Sequence, residues 1–509
     1  MSQSEVNLYS SFQKQFLRHA EKPALFTGNG ESISFQDLET RSARLASYLT
    51  QSGVIPGDRV TVQVQKSPEA VCLYLACLRA GFVFHPLNTG YKPAELEYYI
   101  GDARPAAIIC DAGSGDVMQQ LAGKAGVTKV LTLNADGSGS LPDAASEASE
   151  NFETVTRDKD DMAALLYSSG TTGVPKGIML SHENLLVNAQ SLIEFWGFTE
   201  NDVLLHALPI FHVHGLFVGL GCAFLSGASM RWAPAFDAKQ AVELLPECTV
   251  MMGVPTYYTR LLGEAAFDKN VVSNMRLFIS GSAPLLEETF NEFEQHSGHR
   301  ILERYGMTET NMNTSNPLVG ERKAGTVGKP LPGVEVRIVD DQGKSLVEGE
   351  IGNLQVRGNN VFKAYWNMPE KTAEDFTEDN FFNTGDKGRI DSDSYVSIVG
   401  RAKDMIISGG LNVYPKEIEL LIDNVTGVKE SAVIGLAHSD FGEAVVAVLV
   451  ASGVECPEET ELIARLKEQL AGFKVPKRVL VIDELPRNTM GKVQKNVLRE
   501  QYKDLFSGT

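Results

Sequence analysis

Residues 167–177 of this chain read Tyr167-Ser168-Ser169-Gly170-Thr171-Thr172-Gly173-Val174-Pro175-Lys176-Gly177. An apolar run at residues 163–166 precedes them and is typical of a buried strand, and Ser181 follows as a predicted helix N-cap. Glycines let the backbone approach an anion closely, while hydroxyl groups, free N–H groups and a lysine bind phosphate oxygens. The segment is therefore predicted to be a phosphate-binding loop between a strand and a helix.

This loop differs from the Walker loop, in which a lysine directly follows the last glycine. Here Lys176 lies three residues after Gly173 and is itself followed by Gly177. Composition alone would also fit a flexible surface loop, which is the structural alternative. The order of the residues favours the phosphate-binding interpretation.

The size and charge of the chain limit the classes of function. With 509 residues, two or more domains are expected. Its apolar content of 43 % and charged content of 22 % are those of an ordinary globular protein. The formal net charge of -19 argues against sequence-independent nucleic-acid binding, because a phosphate backbone requires a basic surface. Anionic ligands must therefore be bound by a local group of cations.

The cysteines contain no C-x-x-C pair, which argues against a zinc site and a disulfide framework and favours free thiols in a reducing compartment. They are Cys72, Cys77, Cys110, Cys222, Cys248 and Cys456. Residues 1–5 lack the features of a secretory signal, and the longest apolar run, 215–225, is too short to span a bilayer. We therefore expect a cytoplasmic protein without membrane insertion.

Hydrophobic periodicity predicts an α/β fold with a large N-terminal domain, residues 1–400. Helical patterns alternate with short apolar strands up to about residue 160 and again after the loop, which predicts parallel strands with crossover helices. Residues 325–399 are short, alternating and rich in glycine, which predicts a small antiparallel sheet or barrel. Residues 134–150 are rich in Gly, Ser, Ala and Asp and are predicted to be an exposed connection without a core role.

A second, smaller domain is predicted at residues 401–509. It has an α+β pattern, with helices expected near 416–422 and 461–470. Residues 460–509 contain ten Lys and Arg against six Asp and Glu, so this part is locally basic on an acidic protein. Such a domain suits anionic substrates.

Five further segments follow the loop in a fixed order. They are Leu208-Pro209-Ile210-Phe211-His212-Val213-His214-Gly215, Tyr305-Gly306-Met307-Thr308-Glu309-Thr310, Thr384-Gly385-Asp386, Gly400-Arg401-Ala402-Lys403-Asp404 and Pro486-Arg487-Asn488-Thr489-Met490-Gly491-Lys492. Together with the loop they resemble the signature motifs of the AMP-forming acyl-CoA synthetase superfamily, the adenylate-forming ligases. The resemblance covers nearly the whole chain.

The resemblance implies that a carboxylate attacks the α-phosphate of ATP to give an acyl-adenylate and pyrophosphate, and that the thiol of CoA then displaces AMP. ATP and CoA are thus the expected substrates and Mg²⁺ the expected cofactor. Such chemistry depends mostly on positioning and charge neutralisation. The resemblance assigns the phosphates to Ser168, Ser169, Gly170, Thr171, Thr172, Gly173 and Lys176.

Resemblance also assigns the rest of the nucleotide site. Thr308 and Glu309 are expected at the phosphates and Mg²⁺, with a solvated loop acid as the alternative for Glu309. Asp386 would accept the ribose hydroxyls and Arg401 would be a second ribose contact, although Thr-Gly-Asp alone is an ordinary turn. The residues expected around the adenine, with Tyr305 stacked on the ring, are Ser282, Ala283, Glu303, Arg304 and Tyr305.

The C-terminal domain is expected to act as a mobile lid over the ATP- and acid-binding N-terminal domain. Lys492 would be the adenylation lysine, with a mobile surface lysine as the alternative. Lys403 occupies the position at which the family hinges between its adenylation and thioester-forming orientations. Gly409 and Gly410 would leave a narrow path for the pantetheine arm.

Within the superfamily the chain resembles malonyl-CoA synthetases at residues 253–260, 279–283 and 303–317. This implies malonate as the acid, with methylmalonate as a further substrate. A second carboxylate in the acyl pocket requires a cation, and the resemblance assigns it to Arg260 with Ser282 as its partner. The alternative for Arg260 is a surface ion pair with Glu264.

His212, His214 and Met307 are expected to shape the acyl pocket, although a histidine beside an apolar run is more often structural. Other functions stay open. They are a ligase for short monocarboxylates, an adenylation enzyme loading a carrier protein, a luciferase-like monooxygenase and a non-catalytic nucleotide-binding protein. The expected partners are malonate, ATP and CoA, with no nucleic acid, and the oligomeric state is open.

Overall fold

The computed structural model describes residues 6–28, 30–168, 175–401, 404–408, 411–438, 441–453, 456–470, 472–489 and 491–506, without the side chains of residues 401, 411, 412 and 442. Within these ranges no helix is long and apolar enough to cross a membrane.

The α-helices occur along the whole chain. They are Leu8–Arg18 (α1), Phe35–Gln51 (α2), Pro68–Ala80 (α3), Pro93–Ala103 (α4), Gly115–Ala125 (α5), Ser140–Ala145 (α6), His182–Trp196 (α7), Leu220–Ser226 (α8), Ala238–Leu244 (α9), Pro255–Leu262 (α10), Glu287–Ser297 (α11), Pro369–Asp375 (α12), Pro415–Asp423 (α13), Glu459–Lys467 (α14) and Lys495–Gln501 (α15). Two 3₁₀ turns, Ala112–Ser114 and Leu245–Glu247, and a π-helical segment, His214–Gly219, complete the helical structure of the described residues.

The strands of the N-terminal part are Pro23–Phe26 (β1), Ser32–Ser34 (β2), Arg59–Gln63 (β3), Val83–Pro86 (β4), Ala107–Cys110 (β5), Val130–Thr132 (β6), Met162–Ser168 (β7), Lys176–Ser181 (β8), Val203–His206 (β9), Ser229–Trp232 (β10), Val250–Gly253 (β11), Leu277–Ser280 (β12), Leu302–Met307 (β13), Asn311–Ser315 (β14), Lys329–Pro330 (β15), Val334–Val339 (β16), Gly352–Gly358 (β17), Ala364–Tyr365 (β18), Phe382–Ile390 (β19) and Val396–Arg401 (β20). Those that follow are Ile406–Ser408 (β21), Leu411–Val413 (β22), Val428–His438 (β23), Gly442–Ala451 (β24) and Arg478–Ile482 (β25).

Two large sheets form most of the N-terminal part. One has the order β18-β8-β7-β4-β3-β5-β6 and the other β15-β14-β13-β12-β11-β9-β10-β1-β2. Strands β7, β4, β3, β5 and β6 of the first sheet are parallel, as are β13, β12, β11, β9, β10 and β1 of the second. The predicted parallel α/β architecture is confirmed, and loops at the carboxyl ends of such strands form sites.

The phosphate loop joins two antiparallel strands, so the predicted strand–loop–helix order is wrong in one element. Strand β8 pairs antiparallel with β7, and Ser168 lies opposite Lys176 at the two ends of the loop. Ile178 and Leu180 are fully buried, because their two-residue spacing places both on one face of the sheet. The predicted N-cap is confirmed, since Ser181 Oγ accepts a hydrogen bond from the Asn184 N–H at 3.2 Å and α7 follows.

Residues 134–150 have a core role, contrary to the sequence prediction. They include helix α6, which packs against α2 and buries Leu141 and Ala145. These two side chains are four residues apart and therefore lie on one helical face. The sequence prediction missed these two apolar residues, because the surrounding Gly, Ser and Asp residues are typical of a loop.

Two smaller sheets complete the fold. Strands β16, β17, β19 and β20 form the predicted small antiparallel sheet, and β21–β25 form a sheet with helices α13 and α14 close to their predicted positions. In the part of the chain that the structure describes, no buried apolar cluster combines side chains from before residue 401 with side chains from after it.

Candidate active site

A cavity of about 1070 Å³ lies between the N-terminal sheets and the C-terminal part. Side chains from β13, β19, α10, the loop after β12 and the loop before α15 line it. The predicted site residues that it brings together are Arg260, Ser282, Ala283, Glu303, Arg304, Tyr305, Met307, Asp386 and Lys492.

The two ends of the phosphate loop contact acidic and phenolic side chains. Ser168 Oγ donates a hydrogen bond to Glu309 Oε1 at 3.2 Å. Lys176 Nζ lies 3.2 Å from the Tyr365 hydroxyl, 4.2 Å from the centre of its ring and 3.5 Å from Asp375 Oδ2. Of the predicted phosphate-binding residues, Ser169, Gly170, Thr171, Thr172 and Gly173 lie outside the described residues.

Oxygen ligands suitable for Mg²⁺ lie beside the loop. Glu309 is buried in the turn that follows β13, next to the half-buried Thr308, and Ser168 Oγ contacts its carboxylate. The described residues contain no cluster of three His, Cys, Asp or Glu side chains that could hold a metal by themselves. This arrangement fits Mg²⁺, which usually takes one or two carboxylates and completes its shell with phosphate oxygens and water.

Asp386 and Tyr305 meet at the expected ribose end. The Tyr305 hydroxyl donates to Asp386 Oδ2 at 2.5 Å, and Asp386 is buried on β19. Asp386 pairs in register with Arg401 across β19 and β20, so the two predicted ribose residues lie side by side in the backbone. The side chain of Arg401 lies outside the described part of the structure.

Ser282, which lines the cavity, contacts His214, and both were predicted from the sequence to bind the acid. Ser282 has a φ of 71°, a left-handed conformation that costs a non-glycine residue roughly 1–3 kcal/mol and is typical of functional sites. Its Oγ lies 3.2 Å from His214 Nδ1. His214 begins the π-helical segment, and its N–H donates to His212 Nδ1 at 3.3 Å.

Both histidines are neutral at neutral pH. Burial and the neighbouring Arg304 guanidinium lower the pKa of His212 to about 4 and that of His214 well below its usual range. The Nε2 atom of His214 is buried and has no hydrogen-bond partner among the described residues. A buried polar atom of this kind indicates a place where a ligand supplies the missing partner.

Arg304 lies on β13 between Glu303 and Tyr305, and all three line the cavity. Successive residues of a strand point to opposite faces, and the Arg304 guanidinium lies near the two buried histidines, whose pKa values it lowers. A Cβ on Gly281 would come within 2.4 Å of the guanidinium carbon, which shows how closely the backbone encloses this group.

The Arg304 guanidinium is buried, and no carboxylate of the described residues forms an ion pair with it. The residue is 3 % exposed, and Nε and Nη2 have no hydrogen-bond partner within the described ranges. Burial lowers its pKa to about 9. Because an unpaired buried charge is costly, this cation indicates a site for an anion.

Arg260 supplies a second cation at the cavity. It lies exposed on the last turn of α10 and lines the cavity wall. The alternative ion pair with Glu264 does not occur among the ion pairs of the described residues.

The loop that carries Lys492 packs on the N-terminal part. Its turn is closed by hydrogen bonds between Asn488 and Lys492, and Thr489 Oγ1 accepts from Asn88 Nδ2 at 3.1 Å. A side chain on Gly491, at φ 74°, would contact Thr256. Lys492 therefore lines the same cavity as Arg304 and Asp386, while Lys403, Gly409 and Gly410 lie outside the described residues.

The fold and the cavity together define an enzyme that binds AMP and activates an acid. Residues 12–366 match the family described as AMP-binding enzyme, and residues 417–492 match the AMP-binding enzyme C-terminal domain. The chain belongs to this family.

The relatives act on acids and CoA. A malonate–CoA ligase of Arabidopsis thaliana is 36 % identical over 93 % of this chain and 85 % of its own length. A long-chain-fatty-acid–CoA ligase of Yersinia pestis is 33 % identical over 97 % of this chain and 94 % of its own length. The crystal structure of ATP-bound MatB from Rhodopseudomonas palustris superposes with a TM-score of 0.96 at 52 % identity, covering 99 % of this chain and 100 % of that chain.

The buried Glu303 predicts a pH-dependent stability. Its Oε1 accepts from the Leu285 N–H at 3.1 Å, and burial raises its pKa from 4.5 to about 7. Because the folded state holds the proton more tightly, the associated stability is present below pH 4.5 and is lost as the pH rises to about 7. We expect Glu303→Gln, which keeps an acceptor oxygen but does not ionise, to gain on the order of 2–3 kcal/mol relative to the natural protein across this window.

Urea unfolding at about pH 5 and about pH 8 measures this gain. The exposed Glu348→Gln is the control, and its difference from the natural protein should be the same at both pH values. A Glu303→Gln difference that does not change with pH would show that Glu303 is ionised in the folded protein throughout.

Proposed function

We propose that the protein is an ATP- and Mg²⁺-dependent acid–thiol ligase that joins malonate to CoA through a malonyl-adenylate and releases AMP and pyrophosphate. The observation that carries the proposal is the enclosed Arg304 guanidinium, which lies close to His212 and His214 in a cavity that also contains Asp386 and Lys492. One carboxylate of malonate attacks phosphorus, and the other remains as a counter-charge for this cation.

The energetics favour a dicarboxylate over a monocarboxylate. A guanidinium can bind a carboxylate through two parallel N–H donors, and Nε and Nη2 of Arg304 have no acceptor among the described residues. Ser282 Oγ and His214 Nε2 add hydrogen-bonding capacity at the same end. A monocarboxylic acid would leave these groups unpaired after its only carboxylate has moved to the phosphate, and such sites discriminate strongly.

The nucleotide is bound at the opposite end of the cavity. Asp386, Tyr305 and Arg401 would hold the ribose, while Ser168, the loop that follows it and Lys176 would hold the phosphates. Lys176, half-enclosed between Tyr365 and Asp375, would neutralise charge on the leaving pyrophosphate.

Glu309 and Thr308 are the residues that would hold Mg²⁺, which when bound neutralises charge on the phosphate oxygens. Lys492 enters the cavity from the C-terminal part. Its ammonium would pair with the negative charge that develops between the carboxylate and the α-phosphate.

We further propose that residues 1–400 bind ATP and the acid and that residues 401–509 act as the lid. The separation of the apolar clusters near residue 401 supports this division. Lys403 would be the hinge, and Gly409 and Gly410 would leave the path for pantetheine. Methylmalonate is a proposed further substrate, because Met307 at the cavity is an adaptable side chain.

The cytoplasm is the proposed location. All six cysteines are free and five of them are buried, which suits a reducing compartment.

Substitutions of Arg304 and Arg260 test whether the protein distinguishes malonate from monocarboxylic acids. Arg304→Met removes the cation but keeps an apolar stem, so we expect kcat/KM for malonate to fall about 10²- to 10³-fold, because a buried ion pair with the substrate is lost. Any activity with propionate should persist, and the ligand-free variant should be at least as stable as the natural protein, because an unpaired charge has been removed. Arg260→Ala should change the ratio of malonate to propionate activity in the same direction.

Steady-state kinetics with the two acids check this expectation, with Arg357→Met as the control, because Arg357 is a half-buried arginine that pairs with Glu335 and does not line the cavity. If malonate and propionate activities fell by the same factor in Arg304→Met, the protein would be a ligase that does not recognise a second carboxylate.

Substitution of Lys492 distinguishes a lid that takes part in catalysis from one that only covers the site. We expect Lys492→Ala to fold normally and to form the adenylate about 10²- to 10³-fold more slowly, because a charge that acts mainly on the transition state is missing. Malonate-dependent exchange of pyrophosphate into ATP measures the rate, and thermal unfolding measures the fold. Lys503→Ala, which removes a surface lysine paired with Glu500, is the control. Near-normal exchange by Lys492→Ala would remove Lys492 from the proposed mechanism.

A further inference from the structure

Lys66 joins the two large sheets next to the active site. It follows β3 of the first sheet, and its Nζ donates hydrogen bonds to the carbonyl oxygen of His206 at 2.7 Å and to that of Ala233 at 2.6 Å. These carbonyls lie at the ends of β9 and β10 in the second sheet, where His206 and Trp232 are register partners. One side chain therefore fixes the carboxyl ends of three strands relative to one another.

The surroundings of the Lys66 ammonium group are unusual for a charged group. Within the described ranges no carboxylate forms an ion pair with Lys66, and its remaining contact is the ring of Trp232, 4.2 Å from Nζ. Burial lowers the pKa of this ammonium well below its usual range. Because an enclosed cation without a counter-charge adds little to stability, fold stability alone does not account for a lysine here.

Lys66 contacts the backbone of His206, and the imidazole of the same residue packs on the π-helical segment. His206 Nε2 donates to the carbonyl oxygen of Gly215 at 2.9 Å, and the ring stacks on Trp232 with a centroid distance of 4.9 Å. A Cβ on Gly219 would come within 2.8 Å of Nε2, so the ring packs directly on the π-helical segment. Burial, and then the Lys66 charge, lower the pKa of His206, which keeps the ring neutral.

The π-helical segment in turn carries one of the histidines predicted to bind the acid. His214 is its first residue, and His214 Nδ1 lies 3.2 Å from Ser282 Oγ. Single π-helical turns inside α-helices frequently occur at functional sites, because they redirect one side chain. Here the redirected side chain is the histidine that faces Ser282.

Lys66 also borders the segment before His212. It lines a second cavity of about 250 Å³ together with Ala207, Pro209, Phe211 and Thr489. Loss of the ammonium would remove the hydrogen bonds that connect the ends of β9 and β10 to the first sheet at this cavity.

We propose that Lys66 is a positioning residue for the acid substrate: by fixing the ends of β9 and β10 it holds His206, and through His206 the π-helical turn that directs His214 at Ser282. This inference rests on the proposed function, because the affinity for malonate is the quantity that reports it. Lys66 acts on the substrate through other residues, because its polar contacts among the described residues are the carbonyls of His206 and Ala233 and the ring of Trp232.

The first experiment compares Lys66→Met and Lys66→Arg. We expect Lys66→Met to raise KM for malonate about tenfold, which corresponds to one misaligned hydrogen bond, and to change KM for ATP less than about twofold. Lys66→Arg, which can still donate to both carbonyls, should restore KM for malonate to within about threefold of the natural value.

The matched control is Lys22→Met. Lys22 Nζ also donates to two backbone carbonyls, those of Glu200 and Gly227, but unlike Lys66 it does not line the cavity that contains Thr489. It should lower thermal stability and leave KM for malonate unchanged. If Lys66→Met behaved like Lys22→Met, or if it raised both KM values equally, the positioning role would be excluded.

A double-mutant cycle with Ser282→Ala tests whether Lys66 acts through His214 and Ser282. If Lys66 acts through His214 and Ser282, then Lys66→Met will raise KM for malonate much less in the Ser282→Ala background than alone. Additive effects would contradict the path. The two proposals fail differently, because a natural protein inactive with malonate would refute the function, whereas an active one with an unchanged Lys66→Met variant would refute only the role of Lys66.

Discussion

The enclosed Arg304 guanidinium is the interaction on which the rest of the site depends. Two of its nitrogens have no acceptor among the described residues, and the backbone at Gly281 leaves no room for a side chain next to it. A charge in such a place is stable only with a counter-charge, and the substrate is the natural source. The neutral histidines lie close to this cation and Ser282 contacts one of them, so under the proposed function these groups would provide the remaining contacts to the acid.

Much of this arrangement could be predicted from the sequence. The motifs that contain Lys176, Glu309 and Lys492 lie in turns or at strand ends, whereas Asp386 lies within β19 of the antiparallel sheet. Local patterns were sufficient for the parallel sheets, the antiparallel sheet of β16, β17, β19 and β20, and helices α7, α13 and α14. The order of the motifs identified the family, which the matches over residues 12–366 and 417–492 confirm.

Other features depend on contacts that no local pattern contains. The adenine contacts at Glu303, Arg304 and Tyr305 stay a prediction, but the close approach of the backbone at Gly281 to the Arg304 guanidinium is visible only in the folded protein. Strand β8 was missed because a loop rich in glycine hid the antiparallel partner of β7, and α6 was missed because its apolar residues are few. The link from Lys66 to His214 joins residues that are far apart in sequence and meet only in the folded sheets.

The proposed site binds one carboxylate of malonate while the other is activated. Exchange of labelled pyrophosphate into ATP, with CoA omitted, isolates this step, because only formation of the adenylate is then observed. We expect rapid exchange with malonate and exchange at least about tenfold slower with propionate at the same concentration, since the monocarboxylate leaves Arg304 unpaired. Equal rates with the two acids, or no exchange until CoA is added, would refute recognition of the second carboxylate.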